Sequence, residues 1–325
     1  MAVVDRRTFL TTLGLGLLGA PKAAAQPIRT ARVGWVGGGV GPLTPEFLEA
    51  FREGLRDMGW VEGRNLTLEA RWGSRDQARD LAAELLRSKV DLFVVQGPMT
   101  SGVQAAAGSV PIVFGFSGDP VEARFVSSLS RPGGNLTGIS MMSFELMGKR
   151  LELLKEALPR LSRIAILANP GHPGEQAELR ESAAAAHRLG LSVQYFQVRT
   201  VADFEPAFHP MTRDGVEAIV AFPDAFIMSQ VNAIATFAAR RRIPAVSGWA
   251  PFAERGNLMT YGPNLRATWR QVATYADKIL RGARPADLPV EQPTKIELVV
   301  NMKTARALGL MLPRSIVARA DRVIE

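Results

Sequence analysis

Turnover at neutral pH needs an activated nucleophile, an acid–base pair or a metal, and this chain is sparing with all three. It has no cysteine, which excludes disulfides, thiol nucleophiles and cysteine metal sites. Its three histidines, His172, His187 and His209, share no metal-ligand spacing. The most nucleophile-like stretch, Gly115-Phe116-Ser117-Gly118, lacks the final glycine of a G-x-S-x-G elbow, and no histidine is evidently placed to activate Ser117. Metal-ligating acid clusters and P-loops are absent too. The sequence therefore points to binding, with no catalytic residue, metal or cofactor expected.

The remaining candidates suit recognition of a small molecule. Pro111-Ile112-Val113-Phe114 reads as a buried strand that runs into Gly115-Phe116-Ser117-Gly118-Asp119-Pro120 before a helical pattern. Open α/β sheets hold their ligands at such strand ends. A similar phrase recurs as Ile243-Pro244-Ala245-Val246-Ser247-Gly248-Trp249; aligned on the prolines, Gly115 matches Gly248 and Phe116 matches Trp249. Loops carrying Gly97, Thr100, Ser101, Phe116, Ser117 and Asp119 would then face loops carrying Asn169, Asp224 and Trp249. Free backbone N–H groups where helices begin favour an anionic group. Asp224 or Asp119 can receive a cation such as an amino group, and Phe116 and Trp249 offer flat apolar faces. Each has a plainer use: Asp119 and Asp224 as helix caps, Phe116 as core, Asn169 as a turn residue.

Strands alternating with helices must position these loops, which implies parallel βαβ units and an α/β fold. At 325 residues the chain is long enough for two domains. Its 47% hydrophobic and 22% charged content argues against disorder. The pattern restarts midway: Arg163-Ile164-Ala165-Ile166 repeats the character of Arg32-Val33-Gly34-Trp35, and Leu189-Gly190 repeats Met58-Gly59. Val216 to Val220 likewise echoes Val90 to Val94. Two doubly wound parallel-sheet lobes joined by a hinge follow, with residues 27–142 and about 250–285 as lobe 1, and 143–249 and about 286–325 as lobe 2. The +8 charge is scattered and no nucleic-acid motif accompanies it, so a solvated surface without nucleic-acid partners is expected.

Residues 1–25 read as a signal peptide. Asp5-Arg6-Arg7-Thr8-Phe9-Leu10 precedes a short apolar stretch and Ala23-Ala24-Ala25, with cleavage expected after Ala25. The arginine pair resembles a twin-arginine export signal. Gly14-Leu15-Gly16-Leu17-Leu18-Gly19 satisfies a dinucleotide fingerprint, but it follows no strand and sits in the signal's apolar core, so it carries no weight.

Several segments together resemble the substrate-binding components of ABC transporters. They include Phe51-Arg52-Glu53-Gly54-Leu55-Arg56, Gly59-Trp60-Val61-Glu62-Gly63-Arg64-Asn65 and Gly118-Asp119-Pro120-Val121. Others are Leu129-Ser130-Arg131-Pro132-Gly133-Gly134-Asn135, Gly148-Lys149-Arg150-Leu151-Glu152-Leu153-Leu154, Tyr261-Gly262-Pro263 and Leu288-Pro289-Val290-Glu291-Gln292-Pro293. The resemblance implies a type I periplasmic-binding fold, three crossovers, and a ligand held where two lobes close. It also implies partners: a small-molecule ligand, and an ABC permease with its ATPase subunit. Some family members are similar to binders of aromatic amino acids, which suits Phe116, Trp249 and Tyr261. With no lipoprotein cysteine, the chain is expected to be a soluble periplasmic monomer. A periplasmic sensor reporting to a membrane kinase is the alternative.

Overall fold

The computed structural model describes residues 30–39 and 45–325; the signal-peptide reading at 1–25, and part of the glycine-rich turn at 40–44, lie outside them. Apolar runs between breakers become strands covered on both faces, and amphipathic stripes become the helices that cover them. The first lobe is built from β1 (Ala31–Gly38), α1 (Pro45–Asp57), β2 (Leu66–Gly73), α2 (Ala78–Arg87), β3 (Leu92–Gln96), α3 (Thr100–Ala107), β4 (Ile112–Phe116) and β5 (Leu136–Ser140). Its sheet runs β2-β1-β3-β4-β5, with every pair parallel. All of β4 is buried, as its unbroken apolar run requires. At the edge, β2 leans Leu68, Ala70 and Trp72 onto the core, which is the alternation in its sequence.

The second lobe takes α4 (Met147–Ala157), β6 (Arg163–Ala168), α5 (Glu175–Arg188), β7 (Ser192–Gln197), α6 (Phe204–Arg213), β8 (Ala218–Ala221), α7 (Ala225–Ser229), α8 (Val231–Arg241), β9 (Ala245–Ser247), α9 (Ala250–Glu254) and β10 (Met259–Pro263). Then α10 (Leu265–Leu280) returns to the first lobe and packs along α1 and β4. The second sheet is completed by β11 (Ile296–Asn301), α11 (Met302–Leu308), α12 (Arg314–Arg319) and β12 (Arg322–Ile324). Its order is β7-β6-β8-β9-β10-β11-β12, all parallel except the antiparallel pair of β10 with β11. The first five strands repeat the order of the first sheet, and two more extend it.

Two lobe boundaries differ from the sequence reading. Residues 250–263 belong to the second lobe, because β10 hydrogen-bonds to β9 and β11. Residues 286–291 stay with the first: Val290 N–H donates to the Leu129 carbonyl, and Glu291 bridges Ile139 beside β5. The chain thus crosses between lobes three times, after β5, at Asn264, and between Glu291 and β11. Several crossings close together form a hinge. Among the described residues no helix is long and apolar enough to cross a membrane.

Candidate ligand-binding site

A cavity of about 550 Å³ lies between the lobes, and its walls are the C-terminal ends of both sheets. Gly38 at the end of β1, Gly97 after β3, and Gly115 and Ser117 at the end of β4 face it from the first lobe. Asn169 after β6, Arg199 after β7, Asp224 after β8 and Trp249 after β9 face it from the second. Parallel sheets put strand ends and helix starts on one side, so this edge is where a ligand meets free backbone groups. The volume is that of a small-molecule pocket.

Most of the side chains here are apolar. Phe47 of α1 and Trp269 of α10 stack 6.1 Å apart, Trp269 packs 4.8 Å from Trp35, and Phe226 and Trp249 close the other side. Gly115 must be glycine for this wall to form, since a Cβ there would lie 2.7 Å from the Trp269 ring. Trp249 is 6% exposed, and its indole N–H has no partner.

One carboxylate stands in this apolar wall. Asp224 is 3% exposed and caps α7: its Oδ1 accepts from Phe226 N–H (2.9 Å) and Ile227 N–H (3.0 Å). The same oxygen accepts from Asn169 Nδ2 at 3.1 Å, while Asn169 Oδ1 accepts from Gly171 N–H. Oδ2 is buried and has no partner among the described residues. Capping and ligand binding are therefore compatible uses of one side chain, because the cap occupies a single oxygen. An unpaired buried carboxylate oxygen is costly, and a cationic donor relieves that cost.

A histidine does reach Ser117, contrary to the sequence reading. His172 Nε2 lies 2.7 Å from Ser117 Oγ, across the lobe boundary. Its Nδ1 accepts from Gly174 N–H at 3.1 Å, which puts the ring proton on Nε2, facing the hydroxyl. In that tautomer the imidazole donates to Ser117, and the pair makes a contact between the lobes. Burial pulls the His172 pKa down; the nearby Asp224 raises it and Arg75 lowers it. The boundary is tight here: a Cβ on Gly174 would lie 2.7 Å from Gly118 Cα. Arg75 Nη1 donates to the Gly171 carbonyl at 2.7 Å, and Glu122 pairs with Arg180 at 3.2 Å on the rim.

Of the ten candidate positions, Gly97, Ser117, Asn169, Asp224 and Trp249 line the cavity. The other five lie elsewhere. Thr100 is buried in α3 with its hydroxyl on the Gly97 carbonyl (2.7 Å), and Ser101 is half-buried in the next position. Phe116 is fully buried between Phe125 and His172, so its plainer use as core is the one it has. Asp119 Oδ1 accepts from Val121 N–H at 2.7 Å and shapes a turn. Tyr261 is half-buried in β10, its carbonyl accepting from Arg150 Nε at 2.8 Å. Sequence reasoning passed over Phe47, Arg75, Arg199, Phe226 and Trp269. Phe47 and Trp269 sit on helical stripes, and a stripe tells which face is buried, not which residue on it meets a cavity.

Two lobes with parallel-dominated sheets, three crossings and a cavity at their facing strand ends define a type I periplasmic-binding-protein-like fold. The chain belongs to the ABC transporter substrate binding protein family, which matches residues 41–324. It is 23% identical over 272 residues to a tyrosine-binding protein of Clostridioides difficile (strain R20291), covering 83% of this chain and 78% of that one. A conserved domain protein from Vibrio cholerae O1 biovar El Tor has a similar structure, with a TM-score of 0.85 at 26% identity, covering 91% of this chain and 100% of that one. An ABC domain in complex with L-Trp from Streptococcus pneumoniae shares the fold at a TM-score of 0.85 and 24% identity, covering 91% and 100%.

Proposed function

We propose that this protein is the periplasmic solute-binding component of an ABC importer, and that it closes its lobes on an aromatic amino acid and delivers it to a membrane permease and its ATPase. The observation that carries the reading is the Asp224 carboxylate oxygen Oδ2, which has no partner among the described residues, in a wall of Phe47, Phe226, Trp249 and Trp269. That combination fits an ammonium group attached to a flat apolar body. The backbone N–H groups around Gly97, with Arg199 on the opposite wall, suit the ligand's carboxylate. The tyrosine and L-Trp named for two similar proteins are of this chemical class. Closure follows from ligand contacts that both lobes make at once. Export through residues 1–25 places the protein where such a ligand arrives.

Calorimetry of residues 26–325 with L-tyrosine, L-tryptophan and L-phenylalanine, against L-aspartate and D-glucose, tests the reading. Saturable heat with the aromatic amino acids alone is expected. Binding of the sugar or the acidic amino acid, with none of the aromatic ones, would overturn it.

A further inference from the structure

Arg150 of α4 is only 2% exposed, yet it touches neither the cavity nor solvent-facing carboxylates. Its guanidinium spends its donors on main-chain carbonyls of the hinge. Nη1 donates to the Ser143 carbonyl (3.0 Å), in the first crossing, and Nε donates to the Tyr261 carbonyl (2.8 Å), in the strand that enters the second. Nη2 has no partner among the described residues and lies against Gly248, where a Cβ would be 2.5 Å away. Burial pulls the Arg150 pKa down to about 10, with Glu178 opposing, so the group keeps its charge at neutral pH.

Both contacts lead to cavity walls. Ser143 N–H donates to the Ser117 carbonyl at 2.8 Å, and the Ser117 hydroxyl meets His172 across the lobe boundary. On the other side, Gly248 carries Trp249, and it is held from behind by Gly262, whose Cβ would lie 2.0 Å from the Gly248 carbonyl oxygen. One planar fork thus joins two hinge segments to a wall residue of each lobe. We infer that Arg150 is the positioning residue that couples lobe closure to the two cavity walls, by fixing the Ser143 turn and the Tyr261 strand relative to Gly248. The inference deepens the ligand-closing reading and rests on it. A lysine keeps the charge but cannot span two carbonyls with a rigid fork.

The test uses spin labels at Asp80→Cys and Asn232→Cys, exposed positions on α2 and α8 in a chain with no thiol of its own. Inter-lobe distances are read by electron–electron resonance, with and without L-tryptophan and L-tyrosine as probes. Arg150→Met and Arg150→Lys should broaden the ligand-free distances and blunt the shortening on ligand addition. Affinity should fall about tenfold or more for Met and less for Lys, as for a lost buried charge-assisted hydrogen bond. A folded variant with wild-type distances and affinity, changed only in melting temperature, would show a merely structural arginine and overturn the inference. Should Arg150→Met fail to fold, Arg150→Lys and Gly248→Ala decide: the latter displaces the guanidinium without altering charge, and unchanged distances in both overturn the inference. If the wild type binds neither probe, the aromatic-ligand reading fails, while the ligand-free distances still judge Arg150.

Discussion

The two lobes are built on one plan and bring different chemistry to the cavity. Their first strands are clasped alike: Arg32 N–H donates to Asp91 Oδ2 at 2.7 Å, and Arg163 N–H donates to Glu217 Oε2 at 3.1 Å. Their fourth strands begin alike, with the Pro111 and Pro244 carbonyls each accepting a strand N–H at 2.9 Å, from Phe93 and Ile219. At the opposite ends they diverge. The first lobe meets the cavity at Gly38, Gly97 and Gly115, and the missing Cβ of Gly115 leaves room for the Trp269 ring. The second ends its strands in Asn169, Asp224 and Trp249. The first lobe therefore supplies space and the Phe47 and Trp269 rings, and the second supplies Phe226, Trp249 and the Asp224 carboxylate. The strand starts preserve a fold, and the strand ends differ, as the proposed binding of different parts of one ligand by the two lobes requires.

The largest expected effect removes that charge. Asp224→Asn keeps Oδ1 for the α7 cap and replaces the free Oδ2 with an amide that cannot pair with an ammonium. Aromatic amino-acid affinity should fall about a hundredfold, the upper range for a hydrogen bond to a charged group. Stability should change little, because the cap persists. Calorimetry and a melting curve on the same protein separate the two: wild-type affinity would show that the lobes do not divide the work this way.

Next comes the apolar surface that the second lobe contributes. Trp249→Ala should weaken binding by about 1–3 kcal/mol, the burial lost with a large aromatic side chain. If titration of the folded mutant gives an unchanged dissociation constant, Trp249 belongs to the core rather than to the site. A smaller step blocks closure without touching the ligand. A Cβ on Gly174 would lie 2.7 Å from Gly118 Cα, so Gly174→Ala should hold the lobes apart and cost about tenfold in affinity, within the range for overpacking. Solution scattering at saturating ligand should show a larger radius of gyration than wild type; equal compactness would mean the rim yields.

These comparisons also mark what could be read from the chain. Asn169, Asp224 and Trp249 were legible because strand C-terminal ends follow from pattern alone, and α/β sheets hold ligands there. Phe116 matched Trp249 in the repeated phrase but is buried, since β4 runs two residues further past its proline-opened start than β9 does. The lobe boundaries slipped at 250–263 and 286–291 because pairing across β10 and β11, and beside β5, is non-local and leaves no periodic trace. His172 was invisible for the same reason: Ser117 and His172 are 55 residues apart in sequence and come together only when two lobes meet.

That contact makes the smallest prediction, and its sign can be worked out. With the lobes closed, His172 is buried and neutral, its Nδ1 accepting from Gly174 N–H and its Nε2 facing Ser117. Burial lowers its pKa most, Asp224 opposes this in part, and Arg75 adds a smaller lowering. With the lobes apart, water reaches the ring and the pKa returns toward the ordinary value of about 6.5. The open form then binds the proton more readily, so the closed form keeps its full advantage above that value. It loses it progressively as pH falls toward the depressed pKa of the closed form. Ligand affinity should accordingly be level above about pH 7 and fall a few-fold by about pH 5.5, near a unit below the open-form value. His172→Gln retains a side-chain donor toward Ser117 but does not titrate, and should flatten the profile. An equally steep fall in the variant would assign the proton to another group and leave the histidine as a neutral spacer between lobes.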